Sequence, residues 1–334
     1  MPDTLLMRGI RSLHPQELFL LSHRGTAAVP TRLAHPRPSV TVVLLSLDRL
    51  HLTRRCIESL YPHADYPFNL FIHDDGSQPE TLDYLRALRA AHGNVELFES
   101  PARLGCAVAR NRCFQRLDTD YIFSLDNDMV CHPGWLRAAM ACAVRHDAAF
   151  VSPLRLEPDG RIWAFAPALI RSRAGSVLEI ARWFHDMPLA SVQGWFADCD
   201  VATNFVCGGA GLFSRAAWRE CGGFREDYRV GFEDMDFSLR MVTRGYAAWA
   251  TAGAVLTHDD LWQPQSEADV RYAQRRYDMQ DMRAAAALFK ARWGVDVLPD
   301  KYVVSFERRL ASKLGDGPAE GGEPRFLSSV EEEG

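Results

Sequence analysis

The stretch Tyr121–Asp128 (YIFSLDND) joins an apolar run to the acidic triplet Asp126-Asn127-Asp128. Two further acidic clusters occur in the chain: Asp74–Ser77 (DDGS) follows the apolar run Phe68–Ile72, and Glu233–Asp236 (EDMD) follows Gly231-Phe232. Carboxylates at the carboxyl ends of strands in an α/β sheet lie where such sheets bind ligands. A divalent cation held by few carboxylates and shared with phosphate oxygens is the chemistry that such a site supports.

The rest of the chain has the alternation that such a sheet requires. Val40–Leu45 is continuously apolar, which is typical of a buried parallel strand rather than of a half-exposed one. Further strand-like runs, separated by stretches with helical spacing, lie at Phe68–Ile72, Val95–Phe98, Tyr121–Leu125 and Ala148–Val151. This order predicts an α/β fold, Rossmann-like, with a mostly parallel sheet and helices on both faces.

The chain divides into parts of different composition. We expect an N-terminal appendage over 1–38 and a catalytic domain over 39–262, with its first half ending at 130 and its second half spanning 131–262. A C-terminal helical extension over 263–311 and a disordered acidic tail over 312–334 are expected to follow. Within the second half, residues 154–200 are aromatic without a regular period, so we expect irregular structure there.

Composition excludes several classes of protein. The 334 residues carry a net charge of −5, which argues against a general nucleic-acid binder, and 47% are apolar, enough for a sizeable core. No run reaches the roughly 18 apolar residues of a membrane span, and the N-terminus lacks the pattern of a signal peptide. We therefore expect a cytoplasmic protein, with peripheral membrane contact and oligomeric state left open. The eight cysteines form no CxxC pair, so we expect no zinc site.

Each acidic cluster has a functional and a purely structural interpretation. Asp126 and Asp128 can face a loop-bound Mg²⁺ or Mn²⁺, or they can belong to a polar turn with a helix N-cap. Asp74-Asp75 can accept hydrogen bonds from a nucleobase or ribose, or form only a turn and cap.

The third cluster and a histidine after the last strand leave the same choice. Asp234 can act as a general base, whereas Asp236 and Glu233 fit a solvated acidic helix start that the helix dipole favours. His258 can complete an oxygen-rich metal site, although most single histidines are not ligands.

Taken together, these features resemble the family 2 glycosyltransferases, which are nucleotide-sugar-dependent enzymes with the GT-A fold. The resemblance extends from about Val40 to His258. It rests on the opening strand, the DDGS and DND clusters, Gly105–Asn111 (GxxxARN), Gly208–Arg215, Gly222-Gly223-Phe224 and the Glu233-Asp234 helix with Leu239-Arg240. It implies that residues 39–130 form a nucleotide-binding half and residues 131–262 an acceptor half.

The resemblance also implies roles for individual residues. Asp75 looks like the carboxylate that contacts uracil, Asp74 supports it, and Ser46 lies beside the nucleotide. Arg103, which stands where the family usually has Asn, is expected near the base or a phosphate. Asp126, with Asn127, looks like the acid on the ribose or metal side of the DxD motif.

For catalysis, the resemblance implies that Asp128 and His258 bind the metal and that Asp234 is the general base of an inverting reaction. Gly209, Ala210 and Glu233 are also expected at the donor sugar or acceptor. Because aromatic faces suit sugars and peptides, the region of Trp163, Trp183 and Trp195 is expected to form the acceptor wall, and the alternative is that these tryptophans belong to the core. The implied cofactors are Mn²⁺ or Mg²⁺ and a UDP-sugar, and the acceptor is a glycan, small molecule or peptide.

Two other classes compete with this interpretation. A nucleotidyltransferase usually has a glycine-rich loop after its first strand, and Ser46–Arg49 (SLDR) has no glycine. A non-catalytic carbohydrate- or partner-binding module is the other alternative, and the joint presence of Asp128, Asp234 and His258 counts against it.

Overall fold

The computed structural model describes residues 37–172, 177–196, 199–259 and 264–314. Most of the expected appendage and most of the expected acidic tail lie outside these residues.

The first half of the sheet is parallel, as predicted. Its elements are β1 (Val40–Ser46), α1 (Leu50–His63), β2 (Asn69–Asp74), α2 (Pro79–Ala91), β3 (Val95–Glu99), α3 (Cys106–Arg116) and β4 (Tyr121–Asp126). The strands lie in the order β3-β2-β1-β4, and all three neighbouring pairs are parallel. Every residue of β1 is buried, which explains its continuous apolar sequence. The carboxyl ends of β1, β2 and β4 therefore meet at one edge of the sheet.

The second half adds antiparallel strands. Its elements are β5 (Met129–Cys131), α4 (Trp135–His146), β6 (Phe150–Leu156), β7 (Ile162–Arg171), β8 (Leu178–Trp183), α5 (Leu189–Phe196), β9 (Asp200–Thr203), β10 (Ala210–Ser214), α6 (Arg215–Glu220), α7 (Glu233–Thr243) and β11 (Ala248–His258). Strand β10 lies antiparallel between β4 and β6, and β11 runs parallel to β6. The sheet is thus mixed: where a mostly parallel sheet was expected, the pairs of the first half are parallel and most of the pairs that the second half adds are antiparallel.

The expectation of irregular structure over residues 154–200 is wrong. Strand β6 continues to Leu156, and β7 pairs antiparallel with both β6 and β8. Leu154, Leu156, Ile162 and Phe165 form a separate buried cluster with alanines of β11. The aromatic sequence lacks a clear period because β7 is buried along most of its length instead of presenting one face to solvent.

Helices pack on both faces of the sheet. Alternate residues of β1 enter different core clusters: Val42 and Leu44 lie in one with residues of α1 and α4, and Val43 and Leu45 lie in the other with residues of α3 and α7. This arrangement follows from the alternation of side chains along a strand.

The C-terminal region contains α8 (Glu267–Arg276), α9 (Met279–Trp293) and α10 (Asp300–Leu314). Asp278 separates the first two because its side chain accepts hydrogen bonds from the amides of Gln280 and Asp281 and caps α9. Helix α10 runs to residue 314, past the expected boundary at 311. Among the residues described, no helix has the length and apolar character needed to cross a bilayer.

Candidate active site

Asp74 and Asp75 organise the loop that follows β2. Asp74 is fully buried and accepts hydrogen bonds from the amides of Gly76 and Ser77, at 3.1 and 2.9 Å. Burial raises the pKa of Asp74, and these hydrogen bonds act in the opposite direction. Asp75 accepts from the amides of Leu104 and Gly105, at 2.7 and 3.0 Å. Asp75 therefore ties the β2 loop to the start of α3, and each of its oxygens keeps a second lone pair for a ligand.

Ser46 and Arg103 both lie next to this loop. Ser46 is buried, its carbonyl accepts from the Asp75 amide at 2.8 Å, and its hydroxyl makes no hydrogen bond to a described residue. Arg103 is exposed and lines a cavity of about 290 Å³ together with Leu104 and Gly105. Four of the residues expected at the nucleotide, namely Ser46, Asp74, Asp75 and Arg103, thus lie at or next to the β2 loop.

Asp126, at the end of β4, forms an ion pair that the sequence did not predict. Arg110 of α3 is 2% exposed and donates from Nη2 to Asp126 Oδ1 at 2.6 Å. Its Nη1 lies 4.0 Å from Glu233 Oε1. A Cβ at Gly209 would lie 2.3 Å from Asp126 Oδ2, so only glycine allows this approach. Arg110 belongs to the GxxxARN motif that the sequence analysis singled out, but its burial and its pairing with Asp126 appear only in the structure.

Asp128 lies between His258 and Arg49. Its Oδ2 is 3.7 Å from His258 Nε2, at the end of β11, and 3.4 Å from Arg49 Nη1. Arg49 also donates to Asp269 of α8 at 3.2 Å and stacks over Tyr272 at 4.2 Å. Asp48 and Arg49 both have φ of 51°, a region that non-glycine residues rarely adopt, so this turn is strained next to the site.

Asp234 lies in the first turn of α7, beside the Gly208 amide, which donates to its Oδ1 at 3.0 Å. Burial and the neighbouring Glu233 carboxylate raise the pKa of Asp234 to about 7, against the opposing effect of Arg110. A carboxylate with a pKa near the working pH is suited to accept a proton. Phe232, with φ of 65°, sets the entry to this helix.

Some expected site residues have another place in the structure. Asn127 is buried and donates to Thr53 Oγ1 at 2.8 Å, so it fixes the loop after β4. Ala210 is buried in the core, whereas Gly209 lies at the site. The side chain of Trp195 lies outside the described residues. Asp236, expected to be solvated, is fully buried. Its carboxylate accepts hydrogen bonds from Arg240 at 2.8 Å and from Trp293 Nε1 at 3.0 Å, which compensate for the lost contact with water.

Of the three residues expected to bind a divalent cation, Asp128 and His258 are placed to do so and Asp126 is not. The oxygen of Asp128 and the imidazole nitrogen of His258 are close enough to bind one ion together. Asp126 is held by Arg110, and the described side chains of Asp126, Asp128 and His258 do not bring three donor atoms within 4.8 Å of one another. Two protein ligands suit a metal that completes its coordination with phosphate oxygens and water.

A second cavity, of about 300 Å³, opens beside Asp234, and we call it the aromatic cavity. Its lining includes Trp163, Phe205, Phe232, Tyr277, Tyr302 and Phe306, with Arg155, Arg182 and Arg276 among them. Apolar walls with a few charged groups are typical of sites for organic ligands.

Comparison with solved structures identifies the class of fold. A structure of GalNAc-T7 with UDP, GalNAc and Mn²⁺ aligns with 83% of this chain and 57% of its own, with a TM-score of 0.54 and 14% identity. The mannosyltransferase PcManGT of Pyrobaculum calidifontis, solved with GDP-Man and Mn²⁺, aligns with 94% of this chain and 83% of its own, with a TM-score of 0.52 and 18% identity. The fold is that of the GT-A glycosyltransferases.

Sequence comparison identifies the family. The family described as glycosyl transferase family 2 matches residues 41–218, more than half of the chain, so the chain belongs to this family. An N-acetylglucosaminyl-diphospho-decaprenol L-rhamnosyltransferase of Mycobacterium tuberculosis is 26% identical over 219 residues, which are 61% of this chain and 70% of the relative. For an uncharacterized protein, y4gI, of Sinorhizobium fredii, the matched part is 67% of this chain but 24% of the relative. The fold and family predicted from the sequence are confirmed.

Proposed function

We propose that this protein is an inverting glycosyltransferase that moves a sugar from a nucleotide-sugar, a UDP-sugar by preference, to an acceptor hydroxyl. The observation that carries the proposal is that Asp126, Asp128, His258 and Asp234, which come from distant parts of the chain, lie around one edge of the sheet. The two GT-A neighbours named above were solved with a nucleotide or nucleotide-sugar and Mn²⁺, which supports this class of donor and metal.

Asp128 and His258 would hold the divalent metal. A bound Mn²⁺ or Mg²⁺ supplies neutralisation of the negative charge on the diphosphate leaving group. Asp126, Asp75 and Ser46 are proposed to contact the nucleotide, so that residues 39–130 provide the donor site and residues 131–262 most of the acceptor site. Arg110 is proposed to orient Asp126 through their ion pair, and its positive charge also lies 4.0 Å from the Glu233 carboxylate.

Asp234 is proposed to accept the proton of the acceptor hydroxyl as its oxygen attacks the anomeric carbon. The bond from that carbon to the phosphate oxygen breaks on the opposite side, so a single displacement inverts the configuration. A base of this kind typically contributes about 10²- to 10⁴-fold in rate. The Gly208 amide fixes the carboxylate while leaving its other oxygen for the proton.

The acceptor is proposed to be a glycan, a small molecule or a peptide. The rhamnosyltransferase relative is named for a lipid-diphosphate-linked sugar acceptor, which makes a glycan on such a carrier one form of this proposal.

Calorimetric titration tests the proposal directly. Purified protein is titrated with UDP, GDP and dTDP, each with Mn²⁺ and then with EDTA. We expect UDP to bind in the presence of Mn²⁺ only, and binding to fail in Asp128→Ala. Asp83→Asn, which changes an exposed aspartate paired with Arg86, serves as the control and should bind as the wild type does.

The possible outcomes distinguish the proposed nucleotide preference from the proposed catalytic activity. Preference for GDP or dTDP would keep the transferase and overturn the uracil contact of Asp75. No metal-dependent binding of any of the three nucleotides would overturn the catalytic proposal in favour of a binding module.

A further inference from the structure

Arg155 is a buried cation at the aromatic cavity. It lies on β6, is 2% exposed, and donates from Nη1 to Cys207 Sγ at 3.0 Å. Its guanidinium carbon lies 4.6 Å from the centre of the Trp163 ring. Its buried Nε has no hydrogen-bond partner, and no carboxylate of the described residues lies within 4.0 Å of the guanidinium.

The contact with Cys207 does not compensate the charge of Arg155. Burial raises the pKa of the Cys207 thiol, although Arg155 lowers it, so the thiol stays neutral at pH 7. A buried guanidinium without an anionic partner is unfavourable, because it has lost its hydration without gaining a counter-charge. The Trp163 ring offsets part of this cost, and an anion bound in the cavity would supply the counter-charge that the described carboxylates do not.

The acidic groups that line the cavity already have other partners. Glu179 accepts a hydrogen bond from Tyr302, and Asp234 accepts from the Gly208 amide. On the basic side, Arg182 donates to the Trp163 carbonyl at 3.2 Å, and Arg276 is exposed at the cavity. Arg155 and Arg276 thus bring two further guanidinium groups to the lining of the cavity.

Trp163 contacts both Arg155 and His258, a proposed metal ligand. Its ring lies 5.2 Å from the ring of His258 in an edge-on arrangement, and the guanidinium groups of Arg155 and Arg182 lie 4.6 and 4.9 Å from its centre. Cys207, the hydrogen-bond partner of Arg155, immediately precedes Gly208, which binds Asp234. An anion bound to Arg155 would therefore lie next to the proposed catalytic base.

We propose that the aromatic cavity binds an acceptor that carries a negative group, a phosphate or a carboxylate, and that Arg155 recognises this group while the acceptor hydroxyl faces Asp234. The inference rests on the proposed transferase function and narrows its acceptor class to acidic or phosphorylated glycans. Arg155 is then a specificity-determining residue, and a neutral glycan leaves its charge uncompensated.

The test compares charged and neutral sugars on the full chain by ligand-observed NMR. The probes are glucose 1-phosphate, glucuronate and methyl glucoside, each titrated into free protein and into protein loaded with UDP and Mn²⁺. We expect a charged probe to bind at least about tenfold more tightly than methyl glucoside, since hydrogen bonds to charged groups are the stronger ones. The comparison of phosphate with carboxylate identifies which anion the site prefers.

The variants assign this preference to one residue. Arg155→Gln should abolish it, and Arg155→Lys should keep it in part. Arg161→Gln, which removes an exposed guanidinium paired with Asp159 and Asp186, should leave the preference unchanged. In Arg155→Gln the affinity for UDP with Mn²⁺ should stay within about twofold of that of the wild type. The reason is that Arg155 is proposed to bind the acceptor and not the diphosphate of the donor.

Several results would overturn the inference. They are equal binding of the three probes to the wild type, a preference that survives in Arg155→Gln, or a loss of UDP affinity in that variant as large as the loss for the probe. If Arg155→Gln does not fold, the wild-type comparison and Arg155→Lys still decide. Absence of UDP binding with Mn²⁺ in the wild type would count against the proposed function itself. The titrations of free protein with the three probes would still show whether Arg155 binds an anion.

Discussion

Among single residues, Asp234 has the environment expected of a general base, and its removal should affect turnover more than binding. In Asp234→Asn the amide oxygen can still accept from Gly208, but the side chain can no longer take a proton. We expect kcat to fall about 10²- to 10⁴-fold with little change in UDP affinity. Steady-state kinetics with the UDP-sugar that supports turnover, alongside calorimetry, would measure both. A fall in UDP affinity as large as the fall in kcat would instead assign Asp234 to donor binding.

The same carboxyl group should make stability depend on pH. Burial raises its pKa from 3.8 to about 7, so the folded protein holds this proton more tightly than the unfolded chain does. Its stabilising effect is complete below about pH 4 and is lost as the pH rises through about 7.

The neutral Asp234→Asn variant should therefore be more stable than the wild type at pH 8. The difference should disappear near pH 4, where both side chains are uncharged. Urea denaturation at the two pH values would show it, and equal differences at both would contradict the raised pKa.

The approach of Gly209 to Asp126 gives a steric prediction. In Gly209→Ala the new Cβ would lie 2.3 Å from Asp126 Oδ2, so the carboxylate must move and its pair with Arg110 must break. We expect loss of UDP binding with Mn²⁺ by at least about tenfold, in keeping with a lost charge-assisted hydrogen bond. Gly93→Ala is the matched control because its Cβ meets nothing within 4 Å. Unchanged nucleotide binding in Gly209→Ala would show that Asp126 does not serve the donor.

At the scale of elements, Arg49 links Asp269 of α8 to Asp128, a proposed metal ligand. Asp269→Asn removes one charge partner of the buried Arg49, which then depends on Asp128 and on stacking with Tyr272. We expect the free energy of unfolding to fall by about 1–3 kcal/mol. Glu267→Gln, on the same helix, changes an exposed pair with Arg271 and should have little effect. Equal effects in urea titrations would show that Arg49 does not need Asp269.

The elements that the sequence predicted well are those whose pattern is local. Buried parallel strands such as β1 and β4 have continuous apolar sequences, and the acidic clusters after β2 and β4 lie at the edge of the sheet where the site is proposed. The hairpin of β7 and β8 was missed because its pairing and burial depend on β6 and β11, which local spacing does not reveal.

For the site, the acids could be found from the sequence but their partners could not. Arg110 and Arg49 reach Asp126 and Asp128 across 16 and 79 positions of the chain. Asp236 was expected in solvent, yet its partner Trp293 lies 57 positions away. Burial of a polar group depends on such distant contacts, so a local pattern of charges does not distinguish a solvated helix start from a buried ion pair.

In the molecule as a whole, no structural gap separates the proposed nucleotide and acceptor halves. Strand β10, from the later part of the chain, pairs with β4 on one side and with β6 on the other, so one sheet crosses the expected boundary at 130. Asp126 and Asp234 lie together because this strand and the glycines before it bring the two segments into contact. The two halves should therefore unfold together rather than as independent domains.

The C-terminal helices should be part of this same cooperative unit. Phe289 of α9 is fully buried in a cluster with Leu169, Met235 and Leu239, and Met235 directly follows Asp234. A chain that ends after Asp259 would expose this cluster, and a large apolar patch favours aggregation. We expect it to lose its cooperative thermal transition, as measured by circular dichroism and size-exclusion chromatography. A chain that ends after Leu314 keeps every described contact and should unfold as the full chain does. A monodisperse short chain that still binds UDP with Mn²⁺ would instead show that these helices only cover the aromatic cavity, and that α7 holds its place on the sheet without them.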